Sequence, residues 1–437
     1  MKGIFENECE VEYYPGSEIT PQRVKDADAL IVRTRTKCNA QLLEGSKVKV
    51  IASATIGTDH IDRAWCQSHN IALFNAPGCN SGGVLQYFLT ALFKCLSTRE
   101  LWQKFLNSAP DAGADAAAAG EDAAAAGAAT ADGAAGAAAG AAAGSVAGVD
   151  GTADGAATAA GDSASESAPF TVGVIGVGNV GSKVAAACEG LGFEVLRNDP
   201  PKERQQTLAY NSGYLRIVDF KDYYSLDYLL ENSDVVTLHV PLDETTRGMA
   251  DASFFARMKP GAIFINSSRG EVVDEAALLA NIHKLAAVVL DVWVGEPNIN
   301  RELLQSAFIA TPHIAGYSAE GKIKGTQMAV EAIRRYMRDN GLTASTAASS
   351  THSVGATPAA TAPATTAGVT PAAAGTCTIP EEQPIPVDFR GKNIDEISQM
   401  LERIFPIQEL SDALKANPHT FEEMRNNYNY RHELEIL

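Results

Sequence analysis

The sequence predicts an α/β chain with two doubly wound parallel-sheet domains and a small C-terminal domain. Three observations carry this. Short β-branched runs alternate with helical stretches, a Gly-x-Gly-x-x-Gly turn follows one such run directly, and two low-complexity tracts, 109–168 and 342–379, divide the chain into blocks.

In the first block, 1–108, Ala29-Leu30-Ile31-Val32 and Val48-Lys49-Val50-Ile51-Ala52 read as buried strands bounded by polar turns. The second, 169–340, opens with a strand over Thr171–Ile175 and continues through Val195–Asp199, Val235–Leu238, Ala262–Ile265 and Ala287–Leu290. Strands alternating with helices imply parallel sheets covered on both faces. In the last block, 380–437, Ile394, Ile397, Leu401 and Ile404 at helical spacing predict a helix over 393–404, and a Thr420–Glu423 capping box predicts another from Thr420. This block is too small for a core of its own, so its apolar face needs a partner. The tract 109–168 is Ala, Gly, Asp and Ser, and 342–379 is Thr, Ala, Pro and Ser without formal charge. Neither can bury enough apolar surface to offset the entropy of ordering, so both read as flexible linkers.

The 437 residues carry 35 Lys+Arg against 53 Asp+Glu, a formal net charge of −18, and nine of the acids lie in the first tract. An acidic chain is a poor match for a nucleic acid or an anionic membrane surface, so neither is expected as a partner. Seven cysteines without CxxC spacing read as reduced thiols, and no metal site is expected. The N-terminus meets an acid by residue 6, so no signal peptide is read there, and no uncharged apolar run is long enough to span a bilayer. A cytoplasmic protein is the expectation.

Gly176-Val177-Gly178-Asn179-Val180-Gly181 sits between the Thr171–Ile175 strand and a helix that begins near Ser182. Glycines there allow a tight turn and close approach of backbone to a pyrophosphate, which the helix N-terminus attracts. Asp199 ends the next strand, 18 residues past Gly181. That acid can accept from a ribose diol and would repel a 2′-phosphate, so the cofactor is expected to be NAD, in a Rossmann domain.

Three later segments each place a polar residue just after a strand: Asn266-Ser267-Ser268-Arg269-Gly270, Asp291 to Glu296-Pro297, and Thr311-Pro312-His313 to Gly316. Ligands bind at the carboxyl ends of strands in such sheets, so these residues should converge at the nicotinamide. The matching chemistry is oxidation of a secondary alcohol. A histidine takes the hydroxyl proton, a carboxylate holds its imidazole, and an arginine fixes a substrate carboxylate.

Together, the Gly176–Gly181 turn, the segment around Arg269, Asp291–Pro297 and His313 resemble the D-2-hydroxyacid dehydrogenase family. Ala54–His60, Ala76–Asn80, Asn198–Pro201, His313–Lys322 and, more weakly, Phe421–Tyr428 narrow the resemblance to a branch acting on a phosphorylated hydroxy acid, 4-phospho-D-erythronate, in vitamin B6 biosynthesis. The resemblance implies His313 as general base, Glu296 as its partner and Arg269 as the carboxylate-binding cation. It implies substrate contacts from Thr34, Thr55 and Tyr317. It places Gly176, Gly178, Asn179, Val180, Gly181, Asp199, Ser267, Ser268, Arg269, Asp291 and Gly316 around NAD. A flavodoxin-like substrate domain over 1–80, completed by 315–340, an NAD-binding domain over 81–314 and a homodimerising domain over 380–437 are implied too. The basic loop Arg33-Thr34-Arg35-Thr36-Lys37 is a candidate for the substrate phosphate, with a solvated strand end as the plain alternative. His60 and His69 read as structural, and Cys79 as a small packed side chain.

The chain departs from the family pattern at three places. Lys2–Phe5 aligns partway into the family's first helix and Val11-Glu12-Tyr13 with its next strand, so a first strand is expected to be missing and an apolar groove left open. The tail after Leu437 is expected to be short, and Val240 stands where relatives often have a threonine. Two other functions compete: a dehydrogenase for another 2-hydroxy acid such as 3-phosphoglycerate or glycerate, and a non-catalytic NAD-sensing scaffold.

Overall fold

Strand pairing in this computed structural model, which describes residues 5–6, 8–98, 170–211, 221–341 and 383–437, forms two parallel sheets and a two-stranded ribbon. The tracts 109–168 and 342–379 and the stretch 2–4 lie outside the described residues. The first sheet has β1 (Ala29–Val32), β2 (Val50–Ser53) and β3 (Ala72–Phe74) in that order, with Ala29 opposite Val50 and Val50 opposite Ala72. Its two faces bury separate apolar clusters. Val32, Leu43, Ile51 and Cys66 fill one, and Val50, Ala52 and Ala54 meet Ala329, Val330 and Ile333 of the Ala319–Asp339 helix in the other.

The second sheet comprises β4 (Thr171–Ile175), β5 (Glu194–Asn198), β6 (Val235–Leu238), β7 (Ile263–Asn266), β8 (Ala287–Leu290) and β9 (Ile309–Ala310). All are parallel, in the order β5-β4-β6-β7-β8-β9. Residues of β4, β6, β7, β8 and β9 are buried throughout, which explains their unbroken apolar runs. The order reverses at β4, between β5 and β6. This switch point opens a crevice at the strands' carboxyl ends, where the Gly176 turn lies. The described parts of 1–102 and 171–437 pack as one compact unit.

Two expectations need correction. Val11–Tyr13 is not a strand, because no ladder partner runs beside it among the described residues, and an isolated extended segment gains none of the pairing that stabilises a strand. The capping box is not at Thr420, whose Oγ1 donates to the Asn417 carbonyl at 2.7 Å inside a 3₁₀ turn that runs straight into the Phe421–Asn427 helix. It lies instead at the start of the Ile394–Ile404 helix. There Asn393 Oδ1 accepts from the Glu396 amide at 3.0 Å and Glu396 Oε2 accepts from the Asn393 amide at 2.9 Å.

The apolar face of the C-terminal block finds a partner within its own chain. The Ile394–Ile404 helix packs on the Ser81–Leu96 helix, with Lys94 and Glu402 3.8 Å apart. Leu414 and Phe421 join the core beside the six-stranded sheet, and Ser411 Oγ accepts from the Ala310 amide of β9 at 2.9 Å. A ribbon of β10 (Ile385–Val387) and β11 (Leu434–Ile436) ties the two ends of this block together.

Candidate active site

Asp291, immediately after β8, organises the catalytic loop. Its buried carboxylate accepts from Thr311 Oγ1 at 2.7 Å, the Ile314 amide at 2.8 Å and the Ala315 amide at 2.9 Å, and its carbonyl accepts from the His313 amide at 2.7 Å. Thr311 in turn accepts from the phenol of buried Tyr87 at 2.8 Å. These bonds hold His313 at φ 57°, a left-handed conformation that costs a non-glycine residue energy unless its surroundings impose it. Burial pushes the Asp291 carboxyl up, opposed by His313, Thr311 and the two amides.

The His313 ring is thereby aimed at Glu296. Its Nδ1 donates to Glu296 Oε2 at 2.8 Å, with Oε1 at 3.1 Å. A carboxylate only accepts, so Nδ1 carries the hydrogen and Nε2 keeps its lone pair for a substrate proton. Burial pushes the Glu296 carboxyl up, but His313, Arg425 and the Trp293 amide outweigh it and hold the group below the usual carboxylate range.

Arg269 comes from the loop after β7. Asn266 shapes that loop, its Oδ1 accepting from the Ser268 amide and hydroxyl at 3.0 and 2.8 Å while its Nδ2 donates to the Arg269 carbonyl at 2.9 Å. Gly270 is required here, since a Cβ would run into the Trp293 backbone. The guanidinium crosses to the first sheet, where it lies over Gly57 and donates to Asp59.

A cleft of about 2790 Å³ joins these groups. Arg269, Glu296 and His313 line it, as do the expected substrate contacts Thr34, Thr55 and Tyr317 and the expected cofactor contacts Asn179, Val180, Ser267, Ser268, Asp291 and Gly316. Val11, Ala29, Ile31 and Tyr336 line another part of the same space, the apolar groove beside β1. Gly176, Gly178, Gly181 and Asp199 sit at the turn and strand end behind it.

That turn fits a dinucleotide. Gly176 has φ 85°, and a Cβ at Gly181 would overlap the Gly176 carbonyl, whereas Gly178 faces open space. Asp199 Oδ2 accepts from the Val177 amide at 2.8 Å and Oδ1 from the Lys202 amide at 3.0 Å, so the acid is anchored at the end of β5. Ser267 lines the cleft, and its buried Oγ meets no partner among the described residues. Val240 packs beside Gly176 and adds no polar group there.

Sequence reasoning overlooked three contributors. Asp59 pairs with Arg269. Arg425, from the Phe421–Asn427 helix, reaches Glu296 and Tyr317. Arg431 is buried without a carboxylate partner among the described residues, and donates to the carbonyls of Ile314 and Tyr317 at 3.0 and 3.1 Å, to Ala315 and Gly83, and to Gln86 Oε1 at 3.1 Å. Asp59 and Arg425 lie in segments that already carried the family resemblance, but nothing local marked their roles. His69 stacks on Trp65 at 3.9 Å, Cys79 is buried with its thiol pushed up by burial, and neither touches the catalytic pair.

Residues 150–315 match the family model of the D-isomer specific 2-hydroxyacid dehydrogenase NAD binding domain. The chain is 39% identical over 335 residues to the erythronate-4-phosphate dehydrogenase of Bacteroides fragilis, covering 75% of this chain and 74% of that one. It is 34% identical to the Marinobacter nauticus enzyme of the same name, covering 77% and 70%. The chain belongs to the erythronate-4-phosphate dehydrogenase family, within the D-2-hydroxyacid dehydrogenases. Among solved structures it is similar to the D-lactate dehydrogenase of Aquifex aeolicus complexed with NAD and lactic acid, at 25% identity and a TM-score of 0.50 over 74% of this chain and 87% of that one. A 3-phosphoglycerate dehydrogenase of Entamoeba histolytica shares the fold, at 22% identity and a TM-score of 0.50 over 77% and 87%. The family is NAD-dependent, and the turn at Gly176 lies within the matched residues.

Proposed function

We propose that the chain oxidises 4-phospho-D-erythronate to 2-oxo-3-hydroxy-4-phosphobutanoate with NAD, a step toward pyridoxal 5′-phosphate. The carrying observation is the 2.8 Å His313–Glu296 pair, set in one cleft with Arg269, in a chain whose relatives bear that enzyme's name. Gly176–Gly181, Asp199, Ser267 and Ser268 would hold the dinucleotide, which supplies at nicotinamide C4 the acceptor for the C2 hydride. Arg269 binds the substrate carboxylate. His313 Nε2 takes the 2-hydroxyl proton as C2 loses its hydrogen and becomes a carbonyl carbon, and Glu296 stabilises the imidazolium that results. Thr34, Thr55 and Tyr317 contact the substrate.

Arg33, Arg35 and Lys37 are the cations nearest to hand for the phosphate. All three line the cleft, and Arg35 reaches across to Asn426 of the C-terminal helix. The reading includes a substrate lobe (1–80 with 315–340), an NAD lobe (81–314) and closure between them that excludes water. It also includes a cytoplasmic location, in keeping with free thiols at the six described cysteines, and a homodimer.

The test is absorbance of NADH formed from 4-phospho-D-erythronate, compared with 3-phosphoglycerate and glycerate, by the wild type and His313→Ala. Turnover confined to another 2-hydroxy acid overturns the substrate, and NAD binding without turnover of any overturns the enzyme. Light scattering during size exclusion tests the dimer.

A further inference from the structure

Arg425 stands at the junction of three elements that the reaction needs in register. From the C-terminal Phe421–Asn427 helix its Nη1 lies 3.4 Å from Glu296 Oε2, and its Nε donates to the Tyr317 phenol at 3.2 Å. Its side chain is mostly buried, and so is that of Glu296. The contacts span 129 and 108 residues of sequence, so the geometry belongs to the fold rather than to any local motif.

We infer that Arg425 is a positioning residue of the dehydrogenase reaction, holding Glu296 and Tyr317 in place and setting how strongly Glu296 stabilises the proton that His313 acquires. The inference rests on the reading of His313 as the general base. Glu296 Oε2 accepts from His313 Nδ1 at 2.8 Å and faces Arg425 at 3.4 Å, so an imidazolium and a guanidinium share one carboxylate oxygen. A fixed cation there spends part of the carboxylate's charge and disfavours a second positive charge beside it. His313 therefore releases its proton more readily than a His–Glu pair alone would allow, which keeps it available as a base.

The other charged groups around the pair are accounted for. Asp291 lies behind His313, Glu422 approaches Arg425 at 3.8 Å, and Arg269 and Asp59 neutralise each other in the same cleft. Tyr317 also stacks on Tyr430 at 5.4 Å and meets Tyr428 edge-on at 6.2 Å. The C-terminal segment thus braces the expected substrate contact from two sides.

The experiment measures kcat, KM and the pH profile of kcat/KM on the full chain with NAD and 4-phospho-D-erythronate, or with whichever 2-hydroxy acid the wild type oxidises. Arg425→Met is expected to lower kcat about tenfold or more and to move the acid limb of the profile about one unit toward higher pH. Arg425→Lys returns the limb toward its wild-type position, because the charge is restored. Glu422→Gln, which removes a surface partner only, leaves the limb in place. NAD binding followed by fluorescence shows that each variant is folded, and Arg425→Gln replaces the Met variant if the latter does not fold.

An unmoved limb with only a raised KM would make Arg425 a substrate ligand and overturn the inference. An unmoved limb with only lowered stability would make it a structural brace and overturn it equally. A wild type that turns over while the limb stays fixed defeats this inference alone. A wild type inactive on every hydroxy acid defeats the functional reading and this inference together.

Discussion

Arg269 donates from Nε and Nη2 to a single carboxylate oxygen of Asp59, at 3.2 and 3.1 Å, so the cation assigned to the substrate carboxylate is tethered to the first sheet by an acid 210 residues away. Asp59 is well exposed, and an exposed pair contributes only about 0–1 kcal/mol. The tether orients Arg269 without competing strongly with a substrate. Asp59→Asn is therefore expected to change kcat/KM by less than about tenfold, whereas Arg269→Lys, which loses the planar fork, lowers it by about a hundredfold or more. Steady-state kinetics decide, and equal losses in the two variants would refute the assignment.

Glu296→Gln keeps a side chain that can accept from His313 Nδ1 but removes the negative charge that stabilises the imidazolium. A fall in kcat of about a hundredfold is expected, with the acid limb of kcat/KM displaced to lower pH, opposite in sign to the shift expected for Arg425→Met. The two profiles, recorded under identical conditions, should bracket that of the wild type.

Asp291→Asn tests the architecture of the loop. The carboxylate accepts three bonds from Thr311, Ile314 and Ala315, and an amide nitrogen in place of one oxygen sets a donor against donors. The expected loss is about 2–4 kcal/mol in a urea titration, with NAD turnover reduced because the left-handed His313 is no longer held. A variant of wild-type stability would show that the loop is held by other means.

His239 gives a signed pH dependence. Burial pushes its imidazole down to about 3 from an ordinary 6.5. Below pH 6.5 the unfolded chain gains a proton that the folded chain refuses until about pH 3, so stability falls as pH is lowered through that window. His239→Gln removes this term. Thermal midpoints at pH 7.5 and 5 are expected to differ less in the variant than in the wild type, and an equal or larger difference would count against a buried neutral histidine.

Much of the fold was legible because strands and helices are periodic and local. The predicted strands Ala29–Val32, Thr171–Ile175, Val235–Leu238 and Ala287–Leu290 coincide with β1, β4, β6 and β8, and the other three are displaced by one or two residues. Val11–Tyr13 and Thr420 failed for a common reason: each matched a pattern whose completion depends on a neighbour, a pairing strand in one case and an extended N-cap backbone in the other.

The sequence by itself determined the α/β class and picked out the Gly176 turn, His313, Glu296 and Arg269 as candidates, since each of those signals lies within a few residues of a strand end. Only the tertiary structure decided that Asp59 tethers Arg269, that Arg425 shares Glu296 with His313, and that Arg431 secures the carbonyls of the catalytic loop. These contacts join residues 114 to 210 positions apart. A charged side chain carries no mark of its eventual partner in its neighbours along the chain. Packing brings the two together, and where both charges are buried, as at Arg425 and Glu296, the need to compensate them keeps the pair intact.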